Sequence, residues 1–139
     1  MLEGKKMGDT QSCAQGELIL RTQAMPADTN ANGDIFGGWI MSQMDIAGGM
    51  LAKAVAKSRT VTVAVNNILF ISPVHVGDIF SCYGTVAQIG NTSMKIKLEV
   101  WVEPVLRNLE NKQSFKVCEG EFTYVAIDDQ GNKHKVVRD

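Results

Sequence analysis

Apolar positions along the chain follow two different periods, and the change between them separates one helix from a set of strands. From Phe36 or Gly37 to Lys57 the residues are almost all apolar or small, which is typical of a helix that is covered on most sides. Alternating or β-branched runs predict strands at residues 17–24, 60–72, 79–89, 94–102 and 114–127. A loop rich in Pro, Asn, Asp and Gly at 25–34 precedes the helix.

The order of these elements favours an α+β fold with a curled antiparallel sheet around the helix. Four consecutive strands with mostly short connections predict antiparallel pairing, because tight turns join antiparallel neighbours. A helix that is apolar nearly all round needs such a cover. One sheet and one helix leave sheet edges open, so we expect edge-to-edge pairing with a second copy. Gly120, inside the last strand, predicts a β-bulge.

Composition is that of a soluble globular domain. The chain has 139 residues, 45% of them hydrophobic, and its net charge of −1 gives no bulk attraction to nucleic acid or to anionic membranes. No apolar run reaches the roughly 20 residues of a membrane span. We expect residues 1–16, "MLEGKKMGDTQSCAQG", to be a flexible leader and residues 17–139 a single domain. Three scattered cysteines without a CxxC pair predict reduced thiols in a cytoplasmic protein, with neither a zinc site nor a disulfide framework.

One charged residue interrupts the apolar helix. Asp45 is the only ionisable side chain between Gly37 and Ala52, and its helical stripe contains Gly49 but no Lys or Arg. Two interpretations are open: Asp45 accepts backbone N–H groups of a neighbouring loop, or it is a reactive carboxylate beside a channel of small residues. Gly37 and Gly38 likewise form either a plain loop-to-helix junction or a set of N–H donors for an oxyanion.

Other catalytic systems find little support in the sequence. It contains no GxSxG, Walker A, GxGxxG or HExxH motif. The two histidines, His75 and His134, fall in a turn and near the C-terminus, so a Ser–His or Cys–His pair lacks a well-placed base. Two scattered histidines also do not predict a metal site. We expect no metal and no organic cofactor.

Two segments, "LRTQAMPADTNANGDIFGGWIMSQMDIAGG" and "TVTVAVNNILFISPVHVGDIFSCYGTV", resemble the YciA-type acyl-CoA thioesterases of the hotdog superfamily. The similarity runs from about Leu18 to Ile127. It implies the hotdog fold, in which a five- or six-stranded antiparallel sheet wraps a long helix. It also implies homodimers that join their sheets edge to edge, with active sites at the dimer interface, and commonly a hexamer built as a trimer of dimers.

The resemblance also implies roles for individual residues. The acidic catalyst of the family falls on Asp45, and its asparagine partner, which the other protomer contributes and which would orient the water or the substrate, falls on Asn30. The thioester carbonyl would rest at the helix start, at Gly37 and Gly38, while Asp45 activates a water or attacks directly. Candidates to contact the CoA part of the substrate are Arg59, Asn91, Ser93 and Lys95. Lys95 has an alternative interpretation as part of a solvated strand face.

The function implied by the resemblance is hydrolysis of acyl-CoA to a free acid and CoA, within fatty acid metabolism. Asn66 departs from the family pattern, since relatives often carry an acidic residue there, and this puts rate or selectivity in question. The alternative is a non-catalytic acyl-CoA binding module on the same fold. A hydratase would need a His near the helix, and an acyl-CoA sensor would need an effector segment.

Overall fold

The computed structural model describes residues 13–106 and 113–136. Within these ranges the loop before the long helix contains a short 3₁₀ helix, Pro26–Asp28, and the main elements are one α-helix and five strands. In chain order they are β1 (Glu17–Gln23), α1 (Gly37–Ala56), β2 (Arg59–Phe70), β3 (Ile79–Ile89), β4 (Ser93–Glu103) and β5 (Phe115–Ile127). Every element lies within two residues of its predicted bounds. Most of the predicted leader, residues 1–16, falls outside the described residues.

The strands form one antiparallel sheet in the order β1-β3-β4-β5-β2. Strands β3 and β4 are joined by a short turn at residues 90–92, in line with the short connections that the sequence predicts. Strand β2 follows the helix directly but pairs at the far side of the sheet with β5, from Arg59 opposite Ile127 to Phe70 opposite Cys118. In the described sheet, β1 and β2 are therefore the two edge strands.

Helix α1 packs on one face of this sheet and forms the core with it. Strand β4 shows the predicted alternation, with buried apolar side chains towards the helix and exposed lysines on the other face. The helix is less covered than its composition predicts. Ile46 and Met50 are 51% and 50% exposed, because the sheet leaves one side of α1 open beside the edge strand β2. No helix in the described ranges is long and apolar enough to cross a bilayer.

A bulge interrupts the pairing of β2 with β5. Two residues of β2, Asn67 and Ile68, lie opposite the single residue Gly120 of β5. Asn67 has the left-handed φ of 56°, a conformation that Asn adopts more readily than most residues. A Cβ at Gly120 would collide with Cδ1 of Ile68. The extra residue therefore lies in the strand facing Gly120 and not in Gly120's own strand, and the glycine provides the space that the bulge needs.

Candidate active site

Two hydroxyl groups hold the Asp45 carboxylate through one of its oxygens. Thr62 Oγ1, from β2, donates to Asp45 Oδ1 at 2.6 Å. The Tyr124 hydroxyl, from β5, lies 3.0 Å from the same oxygen and 3.0 Å from the Asp45 backbone oxygen. Among the described residues, Oδ2 has no hydrogen-bond partner and no backbone N–H donates to the carboxylate. The loop-capping interpretation of Asp45 is therefore not supported.

Gly48 makes room for the ring of Tyr124 against the helix. A Cβ at Gly48 would overlap the Tyr124 hydroxyl and lie 3.0 Å from Cε1 and Cζ of the ring. Burial of Tyr124, together with the charge of Asp45, raises the pKa of the tyrosine well above its usual range, so the hydroxyl stays protonated and can donate. The small residue at position 48 thus admits an aromatic side chain that supports Asp45.

A groove of about 380 Å³ opens beside this carboxylate. Its lining combines the Asp45 cluster with two half-exposed apolar side chains, a lysine and further small or polar residues: Asp45, Ile46, Gly49, Met50, Lys53, Thr60, Thr62 and Tyr124. Of the buried side-chain polar atoms in the described ranges, Thr60 Oγ1 is the one without a hydrogen-bond partner. The groove therefore offers a carboxylate, an apolar wall and a cation to a ligand.

The first turn of α1 carries two unused backbone donors. Phe36 is the N-cap residue, has no side-chain cap and accepts the N–H of Trp39 at 3.1 Å. The N–H groups of Gly37 and Gly38 have no acceptor within the described residues. The Phe70 ring lies 3.2 Å from the position that a Cβ of Gly37 would take. This end of the helix has the partial positive charge of the helix dipole and can receive an anionic oxygen.

Asn30 lies in the loop before α1 and shapes that loop. Its Oδ1 accepts the N–H groups of Asn32 at 2.9 Å and Asp34 at 3.2 Å. A second groove, of about 400 Å³, is lined by Asn30 and Phe70 together with the start of α1. Asp45 does not line this groove, so a single protomer does not bring Asn30 and Asp45 together. The contribution of Asn30 by a second protomer stays a prediction.

The four candidate CoA contacts lie around the end of the sheet where β2 begins. Arg59 donates to the backbone oxygen of Asp129 at 3.4 Å. Asn91 lies in the turn between β3 and β4, and Ser93 is the first residue of β4. Lys95 is exposed on the face of β4 that is turned away from α1, so the sheet separates it from the groove in the same protomer. The binding roles of these four residues stay predictions.

The buried thiols belong to the core. Cys82 and Cys118 are fully buried, and Cys118 Sγ lies 3.7 Å from Met44 Sδ. Burial raises the pKa of Cys82 to about 12 and that of Cys118 to about 11, which keeps both protonated at neutral pH. In the described part of the chain, no three His, Cys, Asp or Glu side chains are grouped to hold a metal.

Thr62, Tyr124 and Lys53 are not singled out by the sequence pattern. Thr62 is one of two threonines that alternate with valine in "TVTV", and Tyr124 lies in a largely apolar strand. The sequence signal that could identify Thr62 and Tyr124 is a hydroxyl at a strand position that faces the helix, because a buried hydroxyl needs a hydrogen-bond partner. Which partner it finds depends on the pairing of distant strands.

Residues 32–107 match the family model of the thioesterase superfamily. The chain belongs to this superfamily. It is 54% identical over 125 residues to the acyl-CoA thioester hydrolase YciA of Escherichia coli strain K12. The aligned stretch covers 90% of this chain and 94% of the relative. The resemblance to YciA-type proteins is therefore confirmed.

Solved structures show the same hotdog fold. A hexameric broad-specificity acyl-coenzyme A thioesterase is 50% identical to this chain with a TM-score of 0.86, covering 91% of this chain and 85% of that one. An acyl-CoA hydrolase of Staphylococcus aureus, in complex with butyryl coenzyme A and coenzyme A, is 27% identical with a TM-score of 0.76, covering 84% and 69%. The predicted α+β hotdog fold is confirmed.

Structures of three alanine variants of the Staphylococcus aureus hydrolase have also been solved, in which an asparagine, an aspartate or a threonine is replaced. Along that chain the three positions are separated by 15 and 17 residues. Asn30, Asp45 and Thr62 have the same separations here.

Proposed function

We propose that this protein is an acyl-CoA thioesterase that hydrolyses its substrate to a free acid and CoA without a metal or organic cofactor. The observation that carries the proposal is the Asp45 carboxylate, held at Oδ1 by two hydroxyls beside an open groove, with Oδ2 unpartnered among the described residues. Membership of the thioesterase superfamily and the names of the relatives support it.

Asp45 Oδ2 is the atom proposed to act on the thioester. As a general base it takes a proton from water, whose oxygen bonds to the thioester carbon, and the C–S bond then breaks with the proton passing to the CoA sulfur. As a nucleophile, Oδ2 bonds to the carbonyl carbon while the C–S bond breaks and CoA leaves as its thiolate. Water then hydrolyses the anhydride to the free acid and the Asp45 carboxylate, and a proton from that water passes to the CoA thiolate. Both routes need a carboxylate fixed in orientation, and the bonds from Thr62 and Tyr124 to Oδ1 supply it.

The oxyanion hole is proposed to come from the partner protomer. Gly37 precedes Asp45 by eight residues, about 12 Å along the helix axis, so one carbonyl group cannot contact both within a protomer. The N–H groups of Gly37 and Gly38 would receive the negative charge that develops on the carbonyl oxygen. A preorganised donor at that position is worth about 10²–10³ in rate.

Pairing of two β2 strands would bring these parts together. Strand β2 is an edge strand. The strand and the residue that follows it carry exposed apolar side chains: Val61, Val63, Val65, Leu69, Phe70 and Ile71. An antiparallel two-fold pair centred near Asn66 sets the Phe70 end of one protomer beside the Thr62 end of the other. Asn30, Gly37 and Gly38 of one protomer would then complete the Asp45 site of its partner.

Substrate binding is proposed to use the CoA moiety, with Arg59, Asn91, Ser93 and Lys95 as contacts. The dimers are proposed to assemble further into a hexamer as a trimer of dimers, and the hexameric relative supports this state. In such an assembly a residue on the outer face of one sheet, such as Lys95, can approach a site of another protomer.

The test is release of CoA thiol from a panel of short- to long-chain acyl-CoAs by wild type and Asp45→Asn. We expect wild type to hydrolyse at least one substrate, with no effect of EDTA. Removal of the base in Asp45→Asn is expected to lower kcat by about 10²–10⁴, with an unchanged circular dichroism spectrum. Full activity of Asp45→Asn contradicts the proposed role. Wild type that binds butyryl-CoA without releasing thiol favours the binding module instead.

A further inference from the structure

Lys53 places a cation in the same groove as Asp45. It lies about two helical turns after Asp45 on the same side of α1 and lines the groove. Its Nζ lies 3.5 Å from the position that a Cβ of Gly49 would take. The side chain therefore folds back over Gly49, towards Asp45. A Cβ at position 49 would be in van der Waals contact with the ammonium.

The ammonium of Lys53 is not neutralised by the described protein residues. No carboxylate in these ranges lies within ion-pair distance of it. Besides Asp45 and Lys53, the groove is lined by two apolar side chains, a glycine and three residues with hydroxyl groups: Ile46, Met50, Gly49, Thr60, Thr62 and Tyr124. An apolar group placed against the ammonium would remove water from the charge without replacing its hydrogen bonds, which is unfavourable. A negatively charged group is the favourable occupant of this part of the groove.

We propose that Lys53 binds a negatively charged part of the thioester substrate and so contributes to substrate selection. This inference rests on the proposed thioesterase function. The ligand chemistry is an oxyanion, to which the ammonium can donate up to three hydrogen bonds. Such an oxyanion has two sources in acyl-CoA thioesters: the phosphates of CoA, or the terminal carboxylate of an acyl group derived from a dicarboxylic acid.

Lys53→Gln removes the charge, Lys53→Arg keeps it, and Lys57→Gln is the matched control. Lys57 follows one turn later and does not line the groove. Steady-state kinetics would use butyryl-CoA, glutaryl-CoA and S-butyryl pantetheine, which lacks the phosphates. We expect Lys53→Gln to raise KM about 3- to 10-fold for the substrate with the recognised anion, as for a partly exposed ionic contact, with kcat within twofold. Lys53→Arg and Lys57→Gln should stay within twofold of wild type.

The pattern among the three substrates identifies the source of the oxyanion. A rise in KM for both CoA thioesters but not for the pantetheine thioester assigns Lys53 to the phosphates. A rise for glutaryl-CoA alone assigns it to the acyl carboxylate. In either case the difference between wild type and Lys53→Gln should shrink at high salt. Unchanged KM for all three substrates overturns the proposal, as does an equal effect of Lys57→Gln or of Lys53→Arg.

Equilibrium binding separates this inference from the proposed function. If wild type releases no thiol from these three compounds or from any acyl-CoA of the short- to long-chain panel, the proposed function fails. Isothermal titration calorimetry with butyryl-CoA and glutaryl-CoA then still tests Lys53. Weaker binding of either ligand by Lys53→Gln than by Lys57→Gln supports the inference, and equal binding by both variants overturns it.

Discussion

At the scale of single residues, Thr62 and Tyr124 determine how the Asp45 carboxylate is held. Thr62→Val removes the 2.6 Å hydrogen bond to Oδ1 with little change in side-chain volume. A hydrogen bond to a charged group is worth about 1.5–3 kcal/mol, so we expect kcat to fall about tenfold or more, with KM within threefold. Tyr124→Phe should have a smaller effect, because its hydroxyl proton is divided between two Asp45 oxygens.

Thermal unfolding of both variants provides the control, since Phe keeps the ring in the space that Gly48 leaves. Melting temperatures close to wild type would assign a loss of kcat to the site and not to the fold. Thr62→Val with wild-type kcat would show that the orientation of Asp45 does not depend on this bond.

Asp45 could be predicted from the sequence, but the groups that hold it could not. A lone charge in an apolar helix is visible within a few residues of Asp45 itself. Thr62 is 17 residues away and Tyr124 is 79 residues away, and their contacts depend on strand pairing. Lys53 is close to Asp45 in the sequence, but the direction of its long side chain over Gly49 depends on the folded groove.

At the scale of elements, the alternation of side chains predicts where strands lie but not how they pair. The bounds of β3 and β4 follow from local patterns, whereas the position of β2 at the sheet edge and its bulge require the partner strand. The bulge shows this most directly: Gly120 marks it in the sequence, but the extra residue belongs to β2. Register irregularities of this kind arise from contacts between residues far apart in the chain.

The bulge gives a stability prediction for the pair Gly120 and Ile68. In Gly120→Ala the new Cβ meets Cδ1 of Ile68, and we expect a loss of about 1–3 kcal/mol in the free energy of unfolding. Ile68→Val removes that methyl group, so the double variant should be more stable than the sum of the single effects predicts. Urea denaturation at one protein concentration measures the free energy of unfolding of the wild type, the two single variants and the double variant. Effects that simply add would show that the two residues do not collide.

At the scale of the whole molecule, the proposed active site would have to combine two protomers, because Asn30 and Asp45 lie apart in one protomer. The two residues line different grooves at different positions along α1. The exposed apolar side chains of β2 give the edge strand a surface for a second copy. If the site is shared between protomers, a variant without Asn30 and a variant without Asp45 can restore activity to each other in a mixed dimer.

Equal amounts of Asn30→Ala and Asp45→Asn protomers, refolded together, test this arrangement. Half of the dimers are then mixed, and each mixed dimer has one site with both native residues, so activity should recover to about a quarter of wild type. Each variant refolded alone should stay inactive. The control mixes wild type with a doubly substituted chain: shared sites leave about a quarter of wild-type activity, whereas sites within one protomer leave about half. No recovery in the first mixture together with half activity in the second would place the complete site in a single protomer.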